Sequence, residues 1–263
     1  MPERPASGMV RMFLYYNSGG ILIIRPQDNP HRIVDAILAT DYNEDFCISA
    51  DFDPDFIARL MKAGFLVMSS RLAVPESGSP HPDDAPSVDG ALSLDSGFVL
   101  LPKLHLVRSA LFFDRMHVKK SVRRFLGRYE LRADADFDRI VDRCLEVHGD
   151  GWLTPPLVSA IRDIRRNKFH GVYPMSFGLY RDGKLVAGEF GIKAGGVYTS
   201  YSGYYDESNC GTVQMILTTR YLRENGFAFF DLGMPLDYKT DLGAVNIGPH
   251  EFVEIFRTAA SYS

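Results

Sequence analysis

Three strand-length apolar runs follow one another within residues 175–201, separated only by glycine turns. Met175-Ser176-Phe177-Gly178-Leu179-Tyr180 and Leu185-Val186-Ala187-Gly188-Glu189-Phe190-Gly191-Ile192 flank Arg181-Asp182-Gly183-Lys184. An Asp-Gly pair between two such runs predicts a tight hairpin, because its two central positions need positive φ. Gly195-Gly196 is a second turn, followed by a strand over 197–201. Helices are predicted on either side of this meander. Phe137, Ile140, Val141, Cys144 and Leu145 recur at helical spacing, and Thr154 stands as an N-cap ahead of Pro155, Leu157, Val158 and Ile161. A helix over 213–225 stops at Gly226, and 227–232 reads as a buried strand. The pattern itself supports a mixed α/β sheet and nothing narrower.

The first 73 residues read as a small α/β unit. Gly20-Ile21-Leu22-Ile23-Ile24 is of strand length, Asn29-Pro30 opens a helix through Leu38, and Phe46-Cys47-Ile48 is a second strand candidate. Asp53-Pro54 combines an N-cap carboxylate with proline at the first helical position, and Gly64 is a natural C′ residue. Residues 74–97 carry Pro75, Pro80, Pro82 and Pro86 among Gly, Ser and Asp, the composition of a linker. The division expected is therefore 1–73, a linker at 74–97, and a larger domain at 98–263.

Charge is more informative locally than in sum. A net charge of −4 argues against a protein that coats nucleic acid at large. Yet Arg115, Lys119, Lys120, Arg123, Arg124, Arg128 and Arg132 face only one acid, Glu130, in the same stretch. Such a face suits docking of one folded RNA through its phosphates, and it is equally the composition of a solvated helix. Cys47, Cys144 and Cys210 are dispersed and read as buried thiols in a reducing compartment, the cytoplasm. The N-terminus lacks a secretory pattern, and no apolar run is long enough to span a bilayer. His117, His148 and His170 show neither metal nor triad spacing, so neither a metal nor another cofactor is expected. Walker A, HExxH, GxSxG and CxxC motifs are absent.

Several motifs, in order and at constant spacing, resemble the leucyl/phenylalanyl-tRNA–protein transferase family. His117 to Phe125 matches the family's His-Ile-Ser-Arg-Ser-Met-Lys-Arg-Phe, and Trp152-Leu153-Thr154 its Trp-Ile-Thr helix start. The stretch from Leu185 to Gly233 aligns without a gap, and Asp241-Leu242-Gly243-Ala244 stands for Ser-Leu-Gly-Ala. Ser49 to Pro54 and Gly64 to Met68 resemble the family's Gly-Gly-Asp-Leu-Ser-Pro and Gly-Ile-Phe-Pro-Trp, without the final Pro-Trp. The resemblance implies a GNAT-like (acyl-CoA N-acyltransferase-like) fold for the C-terminal domain. It also implies transfer of an amino acid from aminoacyl-tRNA to a protein N-terminus, by a monomer with no membrane partner.

The resemblance also implies site residues. Asp231 is the catalytic candidate, and Glu189, Tyr198, Tyr201, Ser202, Met215, Thr218, Phe230 and Trp152 are the substrate-binding ones. Lys119, Lys120, Arg123 and Arg124 are the RNA contacts. Departures are concentrated here. The family's Asp-Cys-Gln is Asp231-Leu232-Gly233, and the Glu of its Gly-Glu-Ser-Met-Phe-Ser is Tyr201. Glu189 and Thr218 occupy apolar family positions, so the pocket is expected to be more polar and its amino-acid preference altered. A carboxylate in an apolar slot needs a partner or a raised pKa. Two alternatives stand beside this reading. One is an acyltransferase using a coenzyme A thioester, although Glu207 to Thr212 offers a single glycine for a pyrophosphate cradle. The other is a non-catalytic tRNA-binding homologue.

Overall fold

The computed structural model describes residues 14–17, 19–72 and 97–262. The N-terminal stretch contains β1 (Tyr15–Tyr16), β2 (Leu22–Ile23), α1 (Pro30–Leu38), α2 (Pro54–Lys62) and β3 (Leu66–Arg71). Next come β4 (Phe98–Lys103), β5 (Arg108–Leu111), α3 (Lys120–Leu126), β6 (Glu130–Ala133), α4 (Phe137–His148) and α5 (Pro155–Asn167). The chain ends with β7 (Val172–Arg181), β8 (Lys184–Ala194), β9 (Val197–Tyr205), α6 (Cys210–Glu224), β10 (Phe229–Asp231), α7 (Asp237–Asp241), β11 (Val245–Ile247) and α8 (Pro249–Ala260).

Capping chemistry explains the first helices. Asn29 accepts from the backbone N–H groups of His31 and Arg32, and Asp53 accepts from that of Phe56 at 2.9 Å, each with proline just inside the helix. Thr154 precedes Pro155 as expected, but its side chain turns away from the helix and meets Ser69 Oγ at 2.8 Å. Phe46, Ile48 and Ser49 form isolated bridges rather than a strand. The expected linker lies outside the described residues except for Gly97. Its flanks, β3 and β4, pair antiparallel from Leu66 opposite Lys103 to Arg71 opposite Phe98.

The molecule is mixed α/β around a seven-stranded sheet of order β11-β5-β10-β9-β8-β7-β6. All neighbours run antiparallel except β9 and β10. The β7–β8 turn has φ of 50° at Asp182 and 76° at Gly183, the primed geometry that matches strand twist. One apolar core, on the face covered by α2, α4, α5 and α8, includes Phe56, Ile140, Ile161, Phe190 and Phe252. The opposite core lies under α3 and α6 and includes Val122, Phe177, Tyr198, Ile216 and Phe230.

One irregularity governs which side chains share a face. Phe190 pairs with Ser202 and Gly191 with Ser200, so Tyr201 is the extra residue of a bulge in β9. Beyond a bulge the alternation of faces inverts. Tyr198 therefore packs in the α6 core, whereas Tyr201 and Tyr204 pack in the other. The tyrosine hydroxyl at 201 accepts the Val67 N–H at 3.0 Å, and Ser69 N donates to Trp152 O at 3.0 Å. These bonds tie β3 to the larger sheet.

Candidate functional site

The basic segment is anchored by a contact between two motifs distant in sequence. His117 N donates to Leu242 O at 2.8 Å. Gly243 has φ +105°, and a Cβ there would stand 2.1 Å from Arg115 O, so only glycine lets the two segments meet. Helix α3 follows directly, with Lys120, Arg123 and Arg124 exposed. The guanidinium groups of Arg124 and Arg128 stack over Phe125 at 4.8 and 5.1 Å. Lys119 pairs with Asp241 at 2.5 Å, but with side chains 55% and 62% exposed the pair is screened and weak. Among the described residues, no acid pairs with Lys120, Arg123 or Arg124, which leaves these cations available to phosphate.

Asp231 ends β10 and is fully buried. Its Oδ1 accepts from Arg108 Nε at 2.8 Å and Gly233 N at 3.0 Å, and its Oδ2 from Arg108 Nη2 at 2.6 Å and Thr199 Oγ1 at 2.8 Å. Burial pushes this carboxyl upward, but the Arg108 charge and the accepted hydrogen bonds together outweigh it and hold the pKa below the usual carboxylate range. Arg108, also buried, lies over the Phe252 ring at 4.3 Å. Buried Lys239 closes the following loop by donating to Leu232 O at 2.6 Å and Met234 O at 2.8 Å. Burial lowers its pKa to about 8, against the charges of Asp231 and Glu189 that raise it.

Glu189 lies on the other side of the sheet. It pairs with Phe177 on β7 and Gly203 on β9, and its Oε1 has no hydrogen-bond partner. Burial raises its pKa to about 8, with the neighbouring Tyr198 hydroxyl and the Lys239 charge pulling it back. The Tyr198 hydroxyl and Thr218 Oγ1 are likewise buried and complete no hydrogen bond. The Tyr198 ring lies 5.2 Å from that of Phe177 and 5.3 Å from that of Phe230. Thr218 lies between Gln214, which donates to Phe177 O at 3.0 Å, and Tyr221, whose ring is 5.2 Å from Phe177. Positions 214, 218 and 221 share one helix face, which places Thr218 over the same patch of sheet.

The residues expected at the site thus separate. Glu189, Tyr198, Thr218 and Phe230 come together on the α6 face, with half-buried Met215 on the same helix. Tyr201 and Trp152 pack against the opposite core, Ser202 stands beside Cys144 of α4, and Asp231 turns toward that side as well. Sequence reasoning missed Arg108 and Lys239. Neither carries a local mark in sequence, since Arg108 stands near Lys103, His105 and Ser109, and Lys239 lies in a polar stretch. Two clefts of about 430 and 190 Å³ are lined by other residues, the first by His31, Arg59, Lys62 and His170 among them and the second by Tyr42 and His105 among them. Among the described residues, no cluster of three or more His, Cys, Asp or Glu side chains is arranged to hold a metal ion, and no helix is long and apolar enough to cross a membrane.

The family model for leucyl/phenylalanyl-tRNA protein transferase matches residues 110–257, more than half of the chain. The leucyl/phenylalanyl-tRNA–protein transferase of Pseudomonas putida (strain W619) is 30% identical over 153 residues, 56% of this chain and 66% of that protein. That of Pseudomonas entomophila is 28% identical with the same coverage, and that of Rubrobacter xylanophilus is 28% identical over 56% of this chain and 75% of its own length. The match to the Pseudomonas proteins thus spans just under two thirds of their length. Among solved structures, L-PGS from Bacillus licheniformis is 12% identical with a TM-score of 0.42, covering 94% of this chain and 88% of that one. At that level the likeness carries no argument. The matched segment begins within β5, takes in the basic helix, the meander and the strand end at Asp231, and ends in α8, and on that extent the chain belongs to the leucyl/phenylalanyl-tRNA–protein transferase family.

Proposed function

We propose that this chain transfers an amino acid from aminoacyl-tRNA to the N-terminal α-amino group of a protein, as a cytoplasmic monomer in N-end-rule type tagging. The observation that carries the reading is the family match over 110–257, and the docking of Arg115 and His117 on Leu242 and Gly243 gives it a physical basis. In this reading Lys119, Lys120, Arg123 and Arg124 hold phosphates of the acceptor stem. The α6 face of Glu189, Tyr198, Met215, Thr218 and Phe230 receives the aminoacyl side chain, with an altered preference. Tyr201, Ser202 and Trp152 support the strand from behind. Residues 98–263 are read as a GNAT-like core, supported by the element order around the meander, with 1–73 read as a small N-terminal unit.

The chemistry asks little of acid–base groups. The acceptor amine forms a C–N bond to the ester carbonyl, the ester C–O bond to the tRNA ribose breaks, and the amine gives up a proton. The ester is already activated, so holding the amine against the carbonyl supplies most of the rate. Asp231 is buried and fully hydrogen-bonded, and in this reading it positions the strand end and the 232–239 loop. That full engagement favours one second reading, a relative that binds tRNA without transfer.

Charged tRNA and a peptide acceptor test the proposal, alongside a variant with Lys119, Lys120, Arg123 and Arg124 all changed to Ala. The expected result is peptide extended by one residue, with the variant lowering the slope of log affinity against log salt by about 3. Salt-dependent binding without extension supports the second reading. An unchanged slope overturns the assigned RNA contacts.

A further inference from the structure

Oε1 of Glu189, the hydroxyl of Tyr198 and Oγ1 of Thr218 are all buried and complete no hydrogen bond of ordinary geometry, although the Tyr198 hydroxyl neighbours the Glu189 carboxyl. Buried polar atoms are paired in the great majority of cases, and each orphan costs about 1–3 kcal/mol. Three on one face of a sheet, around the Phe177 ring, make a set that the chain does not satisfy by itself. Once ionised, Glu189 only accepts, and the two hydroxyls bring two protons against the lone pairs of all three groups, so the ionised set takes a group rich in donors. The cation already in the neighbourhood is spoken for, since Lys239 Nζ donates to Leu232 O and Met234 O.

The strand opposite Glu189 lies at the surface. Gly203, directly opposite Glu189, is exposed, and a Cβ there would lie 3.1 Å from Glu189 Cβ. Tyr238 is 56% exposed and lies within electrostatic reach of Glu189. We propose that the α6 face of Glu189, Tyr198 and Thr218 receives a basic aminoacyl side chain, of lysyl or arginyl type, rather than a leucyl or phenylalanyl one. This rests on the transferase reading above and deepens it.

Proton linkage gives a second readout. The titratable groups around Glu189 are Tyr198 on β9 and Tyr238 and Lys239 on α7, with Cys144 of α4 within electrostatic reach across the sheet. With its pKa raised to about 8 by burial, Glu189 is mostly protonated at neutral pH, so a cation that pairs with it displaces a proton into solvent.

Amide-linked 3′-aminoacylamino-3′-deoxyadenosines bearing lysyl, arginyl, leucyl or phenylalanyl groups report the preference by calorimetry in buffers of different ionisation heat. The lysyl or arginyl analogue is expected to bind at least about tenfold tighter than the leucyl one, a charge-assisted hydrogen bond's worth, with proton release. Glu189→Gln, close in shape and checked for folding by its thermal melt, should lose both the preference and the proton release. Glu189→Met should shift preference toward the leucyl analogue. Equal or tighter binding of the leucyl or phenylalanyl analogue, binding of none, or a preference surviving Glu189→Gln overturns the inference. Transfer is scored separately. Leucine transfer with basic analogues unbound ends this inference and leaves the transferase reading standing. Basic analogues bound without transfer from any charged tRNA does the reverse.

Discussion

Asp231 accepts four hydrogen bonds from Arg108, Thr199 and Gly233, whereas Oε1 of Glu189 accepts none, although both are buried carboxylates on strands of one sheet. Partner supply sets their pKa values in opposite directions, and stability should follow. Removing Arg108 leaves a buried charge unpaired, so Arg108→Ala is expected to lose about 3–5 kcal/mol in denaturant unfolding. The depressed Asp231 pKa stabilises the fold above the unfolded carboxyl value, near 3.9, and that contribution is lost as pH falls through the folded value. Glu189 has the opposite sign. Between about 4.5 and 8 the unfolded chain releases a proton that the folded chain keeps, so stability falls as pH rises across that window. Glu189→Gln should therefore match wild type near the bottom of the window and exceed it near the top by about 4–5 kcal/mol at most, checked by unfolding at both ends. Glu189 and Asp231 stand out in sequence as carboxylates within strand-length runs, and both lie on strands. Arg108 does not stand out, because its partner lies 123 positions away and no local spacing links them.

At the scale of elements, turn and cap signals hold where their causes are local, and the cap expected at Thr154 is lost to a distant partner, Ser69. The hairpin at Asp182-Gly183 and the helices behind Asn29 and Asp53 follow from residues within a few positions. The bulge at Tyr201 was not legible, since it is defined by the partner strand, and it separates Tyr198 from Tyr201 that alternation alone cannot sort. Gly243 connects an element to its use. With φ +105° and the Arg115 carbonyl where a Cβ would stand, Gly243→Ala should displace the approach to α3. The expected outcome is weaker tRNA binding with stability reduced by about 1–3 kcal/mol, measured by titration and by thermal melting. Unchanged binding would mean that this contact does not orient the basic helix.

At the scale of the molecule, residues 14–72 share a core with the large sheet. Phe56, Leu60 and Phe65 belong to the same cluster as Ile161, Phe190 and Phe252, and Ser69 bonds to both Trp152 and Thr154. Pairing of β3 with β4 was hidden from sequence by the biased composition between them, which reads as a boundary. A specific protease site placed between 72 and 97 makes this testable. The cleaved halves should co-elute and unfold in one transition, and separation of the halves would show that the two parts are independent. The most direct test of the central claim is mass spectrometry of a peptide acceptor incubated with the protein and an equal mixture of lysyl-, arginyl-, leucyl- and phenylalanyl-tRNA. A single basic residue added at the peptide's N-terminus is the expected result. Peptide left unextended, with every tRNA charged and the protein folded, would contradict the assignment of aminoacyl transfer to this site.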